Sequence, residues 1–203
     1  MRIFKLITSL LIIFTIYCYF LFPCFAETSV PVWSSGQEPI EEVDSDIGSS
    51  TNDNNSLNLE SASAILIEQS TGQVLYAHNI HEQLRPASVT KVMSILLIME
   101  ALDNGKISLT DQVPCSENAA SMGGSQIWLD PRETLNVDDM LKAICVNSAN
   151  DCVVAMAEFI AGSEDAFVQM MNDKAKELGM NDTTFKNCHG IDEDGHVTSA
   201  YDI

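Results

Sequence analysis

The sequence predicts a mixed α/β (α+β) fold in which one β-hairpin is followed by a cluster of helices. Two short apolar segments around a turn predict the hairpin, one long apolar segment predicts a buried helix, and capping residues mark three further helices. The chain has 203 residues, 46% hydrophobic and 19% charged, which is ordinary for one globular domain with a core. This composition excludes collagen-like, coiled-coil and wholly disordered chains.

The hairpin comes first in the predicted domain. Ala64–Ile67 is a short apolar run typical of a buried strand, residues 69–72 form a turn cluster, and Val74–Ala77 continue as a second strand. The sequence therefore predicts two neighbouring antiparallel strands, the first of them buried.

A long apolar segment follows Pro86. Apolar side chains occupy nearly every side of the helix predicted over residues 88–102, until Asn104 and Gly105 end it. A helix without a polar face is expected to be buried at the centre of the domain.

Capping residues mark the three later helices. Asn136, followed by Asp139, begins the first of them, and Ser163 begins the last. Gly162 and Gly179 end the second and the third, because glycine readily adopts the left-handed conformation that closes a helix. The predicted ranges are 136–146, 149–161 and 163–179.

The first 26 residues are predicted to be a signal peptide. Arg2 and Lys5 form a positive start, residues 6–22 are an apolar run, and Pro23 with the small residues before Glu27 is typical of a cleavage site. An uncleaved membrane anchor is the alternative, because the run approaches the roughly 20 residues that span a bilayer. With either processing, we expect the rest of the chain to lie outside the cytoplasm.

Residues 27–58 are predicted to be an acidic disordered linker. They contain no Lys or Arg and are rich in Ser, Asn, Asp and Glu, so they offer too little apolar surface to offset the entropy of ordering. The composition changes at residue 59, and residues 59–203 are predicted to form the folded domain.

Charge and cysteine content exclude several classes of ligand. The 10 Lys and Arg against 29 Asp and Glu give a formal net charge of -19, which disfavours nucleic acid and anionic membrane surfaces. The sequence contains no Cys-x-x-Cys, phosphate-binding loop or Cys/His cluster, so no metal and no cofactor are predicted. Cys145 and Cys152 would lie about 10 Å apart along a continuous helix axis, too far for a disulfide unless the junction at Ser148 bends sharply. Both are predicted to be small buried residues.

The candidate chemistry begins at Ser88 and Lys91. A separation of three residues places the hydroxyl and the amine on one face of a helix, within reach of each other. Serine needs an adjacent base to act as a nucleophile, and lysine is such a base only when its pKa falls by roughly 3 units from about 10.4. Burial and the positive end of the helix dipole both lower that pKa. Alone, the pair is a weak indication, since a serine at a helix start with a nearby lysine is common.

Ser148 and Asn150 lie at the junction of two predicted helices. A second hydroxyl there can relay a proton between Lys91 and a leaving amine, and the Asn150 amide can orient Lys91 or a substrate amide. The structural alternative for Ser148 is an N-cap of the second helix.

Together with their surroundings, these motifs resemble a known family. They are, in chain order, Arg85-Pro86-Ala87-Ser88-Val89-Thr90-Lys91-Val92-Met93, Gly124-Ser125-Gln126-Ile127, Ser148-Ala149-Asn150-Asp151, and Phe185–Gly190 with Gly195, His196 and Thr198–Asp202. The set resembles the D-alanyl-D-alanine carboxypeptidases, serine-type low-molecular-weight penicillin-binding proteins of the peptidase S11 kind. The resemblance covers residues 59–203 and implies a β-lactamase/transpeptidase-like fold.

The resemblance also implies a reaction. Ser88 would attack the carbonyl between the last two D-alanines of a peptidoglycan stem peptide, giving an acyl-enzyme that water later cleaves. Lys91 would accept the serine proton, Ser148 would pass it to the departing D-alanine, and Asn150 would hold Lys91 and the substrate backbone. β-Lactams would act as covalent inhibitors. His189 is expected to belong to a structural turn.

One motif of the family is absent from the 203 residues. No Lys-Thr-Gly or close variant occurs, whereas the family continues past the position of Ile203 into another helix and the inner strands of its sheet. We expect the natural gene to run on, and a piece ending at Ile203 to be inactive without that strand. The hairpin would then present an unpaired edge and an uncovered apolar face. A membrane association through the later segment is a further expectation.

Other functions share part of this pattern. A class A-like β-lactamase needs a deacylating glutamate after Ser-x-Asn, and residues 181–187, at the corresponding distance, contain none. Transpeptidation shares the acylation step, so these residues do not separate it from hydrolysis. A binding module that recognises cell-wall peptides or penicillin without turnover is the non-enzymatic alternative. We favour an exported carboxypeptidase in the cell-wall space, acting in peptidoglycan biosynthesis and cell shape.

Overall fold

The computed structural model describes Leu57 and residues 59–203. The predicted signal peptide, and the predicted linker apart from Leu57, lie outside the described residues. The predicted mixed α/β class is confirmed. In chain order the elements are β1 (Ala64–Ile67), β2 (Val74–His78), a 3-10 turn (Ala87–Thr90), α1 (Lys91–Asp103), β3 (Gln112–Pro114), α2 (Glu117–Ala120), β4 (Thr134–Asn136), α3 (Val137–Asn147), α4 (Asn150–Ala161) and α5 (Glu164–Glu177).

The predicted hairpin is confirmed in position but not in burial. Strands β1 and β2 pair antiparallel, with Ala64 opposite His78 and a shift of register between Leu66 and Ile67. Leu66 is 52% exposed and Ile67 is 45% exposed, so the expectation of a buried first strand is wrong. Within residues 59–203 each of the two strands pairs only with the other. The expected unpaired edge is therefore present among these residues, and apolar side chains of β1 are exposed beside it.

Helix α1 is less buried than its sequence indicates. It begins as the 3-10 turn and continues as an α-helix to Asp103, close to the predicted range. One face is buried and contains Met93, Leu97, Ile98 and Ala101. The opposite face is also apolar but exposed, at Val92, Leu96 and Met99. The expectation that this helix is buried on all sides is wrong, because only one of its apolar faces packs against the core.

Helix α4 occupies the centre instead. Every residue from Asn150 to Ala157 is buried, and α1, α2, α3, α5 and β3 all pack against this helix. Its first residue follows Ser148 and Ala149, so the central helix begins at the predicted Ser-x-Asn motif. The core therefore fixes one end of the candidate site directly.

Local capping chemistry sets the ends of α3, α4 and α5 as predicted. The Asn136 side chain accepts a hydrogen bond from the Asp139 N–H at 2.8 Å, and Ser163 Oγ accepts one from the Ala166 N–H at 3.1 Å. Gly162 ends α4 with a φ of 86°, in the left-handed region. These caps satisfy backbone groups that the first and last turns of a helix leave without partners.

Three short elements were not predicted from the sequence. Strands β3 and β4, each of three residues, pair antiparallel with Gln112 opposite Asn136, and α2 has four residues. Segments of this length carry too few positions to show a period of 2 or 3.6. Among residues 59–203, no helix combines the length and the apolar content needed to cross a bilayer.

The four described cysteines are all unpaired. Cys152 is buried on α4, as predicted, but Cys145 is exposed, so the expectation of burial is wrong for Cys145. The buried side of α3 is formed by Val137, Met140 and Ile144, and Cys145 lies one position beyond the last of them.

Candidate active site

Ser88 and Lys91 lie side by side at the start of α1. Ser88 is in the 3-10 turn and Lys91 is the first residue of the α-helix. Side chains at i and i+3 eclipse each other in a 3-10 turn, which brings Lys91 Nζ to 3.3 Å from Ser88 Oγ. Lys91 is only 3% exposed. The predicted proximity and the predicted burial of the amine are both confirmed.

The Lys91 amine has a second partner that the sequence did not reveal. Nζ donates a hydrogen bond to the carbonyl oxygen of His189 at 2.7 Å. Neither the carbonyl nor the Ser88 hydroxyl carries a charge that would stabilise an ammonium ion as a carboxylate does. Burial therefore lowers the pKa of Lys91 from its ordinary value of 10.5. A lysine in this state is suited to accept a proton from the neighbouring hydroxyl.

Ser148 completes a cluster of three polar side chains. Its Oγ donates a hydrogen bond to Ser88 Oγ at 3.0 Å. The backbone at Ser148 is left-handed, with a φ of 54° and a ψ of 38°, and it ends α3. The residue before α4 is Ala149, so the alternative of Ser148 as an N-cap is wrong. A non-glycine residue held in the left-handed region costs roughly 1–2 kcal/mol, and strain of this kind clusters at functional sites.

Replacing Ser148 separates the backbone strain from the hydroxyl. Both Ser148→Gly and Ser148→Ala remove the bond to Ser88 Oγ, but only glycine adopts the left-handed conformation without a Cβ penalty. We expect Ser148→Gly to be more stable than Ser148→Ala by about 1 kcal/mol. Urea unfolding followed by circular dichroism measures this difference. Equal stabilities would show that the backbone at this position is not strained.

Asn150 holds a neighbouring loop rather than the lysine. Its Nδ2 donates to the Gly123 carbonyl at 2.7 Å, and its backbone N–H donates to the Ser125 carbonyl at 2.7 Å. A Cβ at Gly124 would lie 2.9 Å from the same Nδ2 atom, so the loop packs closely on the amide. No hydrogen bond joins Asn150 to Lys91 in the described part of the chain, which differs from the role that the resemblance implies.

Asp151 supports the continuation of that loop. Its fully buried carboxylate accepts hydrogen bonds from the N–H groups of Ile127 and Leu129, each at 3.1 Å. Between them, Trp128 has a φ of 66° and is 79% exposed. The sequence placed Asp151 within a motif but gave no indication of this contact.

The segment that contains His189 packs directly behind the nucleophile. Gly190 has a φ of 91°, and a Cβ built on it would lie 1.9 Å from the Ala87 carbonyl oxygen. Ala87 itself has a φ of 46° and precedes Ser88. Only a residue without a side chain fits at this contact. The motif that contains Gly190 was visible in the sequence, but its contact with Ala87 was not.

Further hydrogen bonds join the same segment to α1 and the 3-10 turn. The buried His196 ring lies with Nε2 at 2.7 Å from Thr90 Oγ1 and accepts the Lys186 N–H on Nδ1 at 2.9 Å. Ser94 Oγ donates to the Cys188 carbonyl at 2.6 Å. These contacts make residues 185–196 a fixed wall of the candidate site.

Solved structures similar to this chain include penicillin-binding proteins of the transpeptidase-like class. D-alanyl-D-alanine carboxypeptidase DacD from Francisella tularensis is 33% identical and superposes with a TM-score of 0.70 over 72% of this chain and 35% of that chain. Penicillin-binding protein 5 from Haemophilus influenzae is 34% identical, with a TM-score of 0.67 over 70% of this chain and 42% of that chain.

The sequence comparisons agree with the structural ones. The family model described as D-alanyl-D-alanine carboxypeptidase, peptidase S11, matches residues 49–203. The chain belongs to this family. D-alanyl-D-alanine carboxypeptidase DacF from Bacillus subtilis is 60% identical over 144 residues, which are 71% of this chain and 37% of that relative. DacA from Escherichia coli is 38% identical over 151 residues, 71% of this chain and 38% of that relative. The chain thus spans somewhat over a third of the length of these relatives.

Proposed function

We propose that these residues belong to a serine-type D-alanyl-D-alanine carboxypeptidase, which removes the terminal D-alanine from peptidoglycan stem peptides. The observation that carries the proposal is the contact, at 3.3 Å, between a buried lysine amine and the hydroxyl of Ser88. The names of the relatives DacF and DacA support the same activity.

In the proposed reaction Ser88 is the nucleophile and Lys91 is the base. Ser88 Oγ forms a bond to the carbonyl carbon between the last two D-alanines while its proton passes to Lys91 Nζ. The carbon–nitrogen bond of the peptide then breaks, and the proton reaches the nitrogen of the departing D-alanine. Water later attacks the serine ester, which regenerates the Ser88 hydroxyl and frees the shortened peptide as a carboxylate.

The neighbouring polar groups supply proton transfer and orientation in this proposal. Ser148, hydrogen-bonded to Ser88 at 3.0 Å, carries the proton from Lys91 to the leaving nitrogen. Asn150 binds the substrate backbone in this proposal. Its side-chain Nδ2 donates to the Gly123 carbonyl and its backbone N–H donates to the Ser125 carbonyl, and these two bonds keep the residue in place. The resemblance to the family supports these roles together with the geometry.

β-Lactams act on the same serine in this proposal. Attack of Ser88 on the β-lactam carbonyl opens the ring at its carbon–nitrogen bond and leaves a long-lived ester. A solved relative, penicillin-binding protein D2 from Listeria monocytogenes, is an ampicillin-bound form; it is 28% identical, with a TM-score of 0.64 over 73% of this chain and 60% of that chain.

The proposed place of action is the cell-wall space. We assign residues 1–26 as the export signal, because a positive start and an apolar run precede a proline and small residues. Activity at the extracytoplasmic face of the membrane would contribute to peptidoglycan biosynthesis and cell shape. Exclusion of the protein from the periplasmic or extracellular fraction would contradict this assignment.

The test uses a chimera in which the part of the Bacillus subtilis DacF relative beyond the matched segment follows Ile203. We expect a fluorescent penicillin to label the chimera at Ser88, as located by digestion and mass spectrometry. The chimera should also release D-alanine from a peptide ending in D-Ala-D-Ala. Ser88→Ala should abolish both, whereas Ser121→Ala, at another exposed serine, should change neither.

The other functions give different results in the same experiment. A folded chimera without an adduct on Ser88 would indicate a binding module. Rapid release of hydrolysed penicillin would indicate a β-lactamase. The 203-residue chain alone is expected to give no adduct, and labelling of that chain would show that the Lys-Thr-Gly strand is not required.

A further inference from the structure

Glu164, the first residue of α5, lies against the segment that holds Lys91. Its Oε1 atom accepts hydrogen bonds from the backbone N–H and from the thiol of Cys188, both at 3.3 Å. The same oxygen lies 3.4 Å from His189 Nε2, and the two side chains are 19% and 9% exposed. One largely buried oxygen therefore contacts two successive residues of the segment.

The ring of His189 is oriented between two partners. Its Nδ1 accepts the backbone N–H of Ile191 at 3.1 Å, so a neutral ring carries its proton on Nε2, the atom that faces Glu164. Burial lowers the pKa of His189; Glu164 on α5 and Glu193 in the following loop oppose this, and Lys91 on α1 adds to it. The ring is therefore neutral at neutral pH and directs its Nε2–H toward Glu164 Oε1, 3.4 Å away, without forming a hydrogen bond.

The main chain of the same two residues fixes the lysine. The His189 carbonyl accepts from Lys91 Nζ at 2.7 Å, and the Cys188 carbonyl accepts from Ser94 Oγ at 2.6 Å. Glu164 thus holds the segment through the N–H and thiol of Cys188, while Lys91 and Ser94 of α1 bind the carbonyls of His189 and Cys188. A displacement of the segment would move the His189 carbonyl and release the amine.

We propose that Glu164 is a positioning residue for Lys91. As a hydrogen-bond acceptor, its side chain fixes Cys188, and with it the adjoining His189, so that the His189 carbonyl holds the lysine amine beside Ser88. The inference rests on the proposed function for its effect on rate, but not for its effect on the lysine. The length of the side chain matters more than its charge in this arrangement, because the two donors to Glu164, the N–H and the thiol of Cys188, are neutral.

Two conservative variants separate the effect of the length of the Glu164 side chain from the effect of its charge. Glu164→Gln keeps the length of the side chain and an acceptor oxygen but loses the charge. Glu164→Asp keeps the charge at the helix start but withdraws the oxygen by one methylene from contacts that are already 3.3–3.4 Å long. Asp165→Ala is the matched control, because it removes a carboxylate from the same first turn at an exposed position.

The first measurement is the pKa of Lys91 in the 203-residue chain, by NMR of the side-chain carbon next to the amine. The Lys91→Met variant assigns the signal. We expect Glu164→Asp to move this pKa upward toward its ordinary value of 10.5, because a released amine is hydrated. Glu164→Gln and Asp165→Ala should leave it unchanged. This readout needs no catalysis, so it tests Glu164 even if the proposed function is wrong.

The second measurement is the rate of penicillin labelling in the chimera. We expect Glu164→Asp to slow it by about tenfold to a hundredfold, since a small misplacement of a reacting group has effects of that size. Glu164→Gln should remain within about threefold of the parent. Equal values for Glu164→Asp and Asp165→Ala in both measurements would overturn the proposal, as would a Glu164→Gln variant as impaired as Glu164→Asp.

Discussion

Replacing Lys91 with methionine is expected to slow acylation of Ser88 in the chimera by about 10²- to 10⁴-fold, the usual contribution of a positioned general base. Methionine has a similar length and an apolar side chain, so it fits a position that is 3% exposed in the parent. It has no basic nitrogen to accept the serine proton. The fold should therefore persist while the chemistry is lost.

The pH dependence of the parent gives the same prediction a second measurement. Only the neutral amine accepts a proton, and burial lowers the pKa of Lys91 below 10.5. The rate of penicillin labelling should therefore rise as the pH passes through the lowered pKa, with the midpoint of the rise below 10.5. In Lys91→Met this rise should be absent, because the group that titrates has been removed.

Lys106→Met is the control for this experiment. Lys106 is exposed in the turn that follows α1, so its replacement removes another lysine amine far from the hydroxyl of Ser88. The control should label at the parental rate over the whole pH range. A folded Lys91→Met variant that labels as fast as Lys106→Met would exclude Lys91 as the base.

Features that depend on neighbouring residues were predictable from the sequence. The Asn136 and Ser163 caps each need only a hydrogen bond to a backbone N–H three residues later, and both form. The contact between Lys91 and Ser88 is equally local, because a single helical turn joins them. Local chemistry fixed these features whatever packed around them.

Burial was less predictable, because a side chain is buried only where another element packs against it. Ile67 in β1 and Val92 in α1 are as apolar as core residues, but both are exposed. The buried centre is α4, although its residues are on average no more apolar than those of α1. Apolar pattern alone does not tell which of two apolar helices the other elements surround.

Contacts across long stretches of sequence were the least predictable. The bond between Ser148 and Ser88 joins residues 60 apart, and no local pattern predicts it. The His189 carbonyl, which holds Lys91 from 98 residues away, belongs to the main chain and leaves no mark in the choice of side chain. Gly190 was visible as a motif residue, but its partner Ala87 was not.

Gly190→Ala is expected to destabilise the protein strongly and to displace Ser88. The new methyl group would lie 1.9 Å from the Ala87 carbonyl oxygen and 2.5 Å from its carbon. Both are backbone atoms, so no side-chain rotation relieves the overlap. The 3-10 turn must move, and a shift of about 1 Å at the nucleophile lowers rates by roughly 10²-fold.

Gly162→Ala isolates the cause of that loss. Gly162 has a φ of 86°, close to the 91° of Gly190, but a Cβ there meets no atom within 4 Å. Both variants carry the conformational cost of a left-handed alanine, roughly 1–2 kcal/mol. Overpacking against Ala87 should add about 1–3 kcal/mol in Gly190→Ala alone.

Thermal unfolding and penicillin labelling of the two chimeras measure the difference. We expect Gly190→Ala to melt several degrees below Gly162→Ala, at about 2–4 °C for each kcal/mol in a domain of this size. Labelling of Ser88 should be lost only in Gly190→Ala at temperatures where both variants are folded. Equal melting temperatures and equal labelling would mean that the segment after His189 moves away from Ala87 without a measurable cost in stability. In that case the position of Ser88 would be set within α1 and its 3-10 turn, without support from the wall behind it.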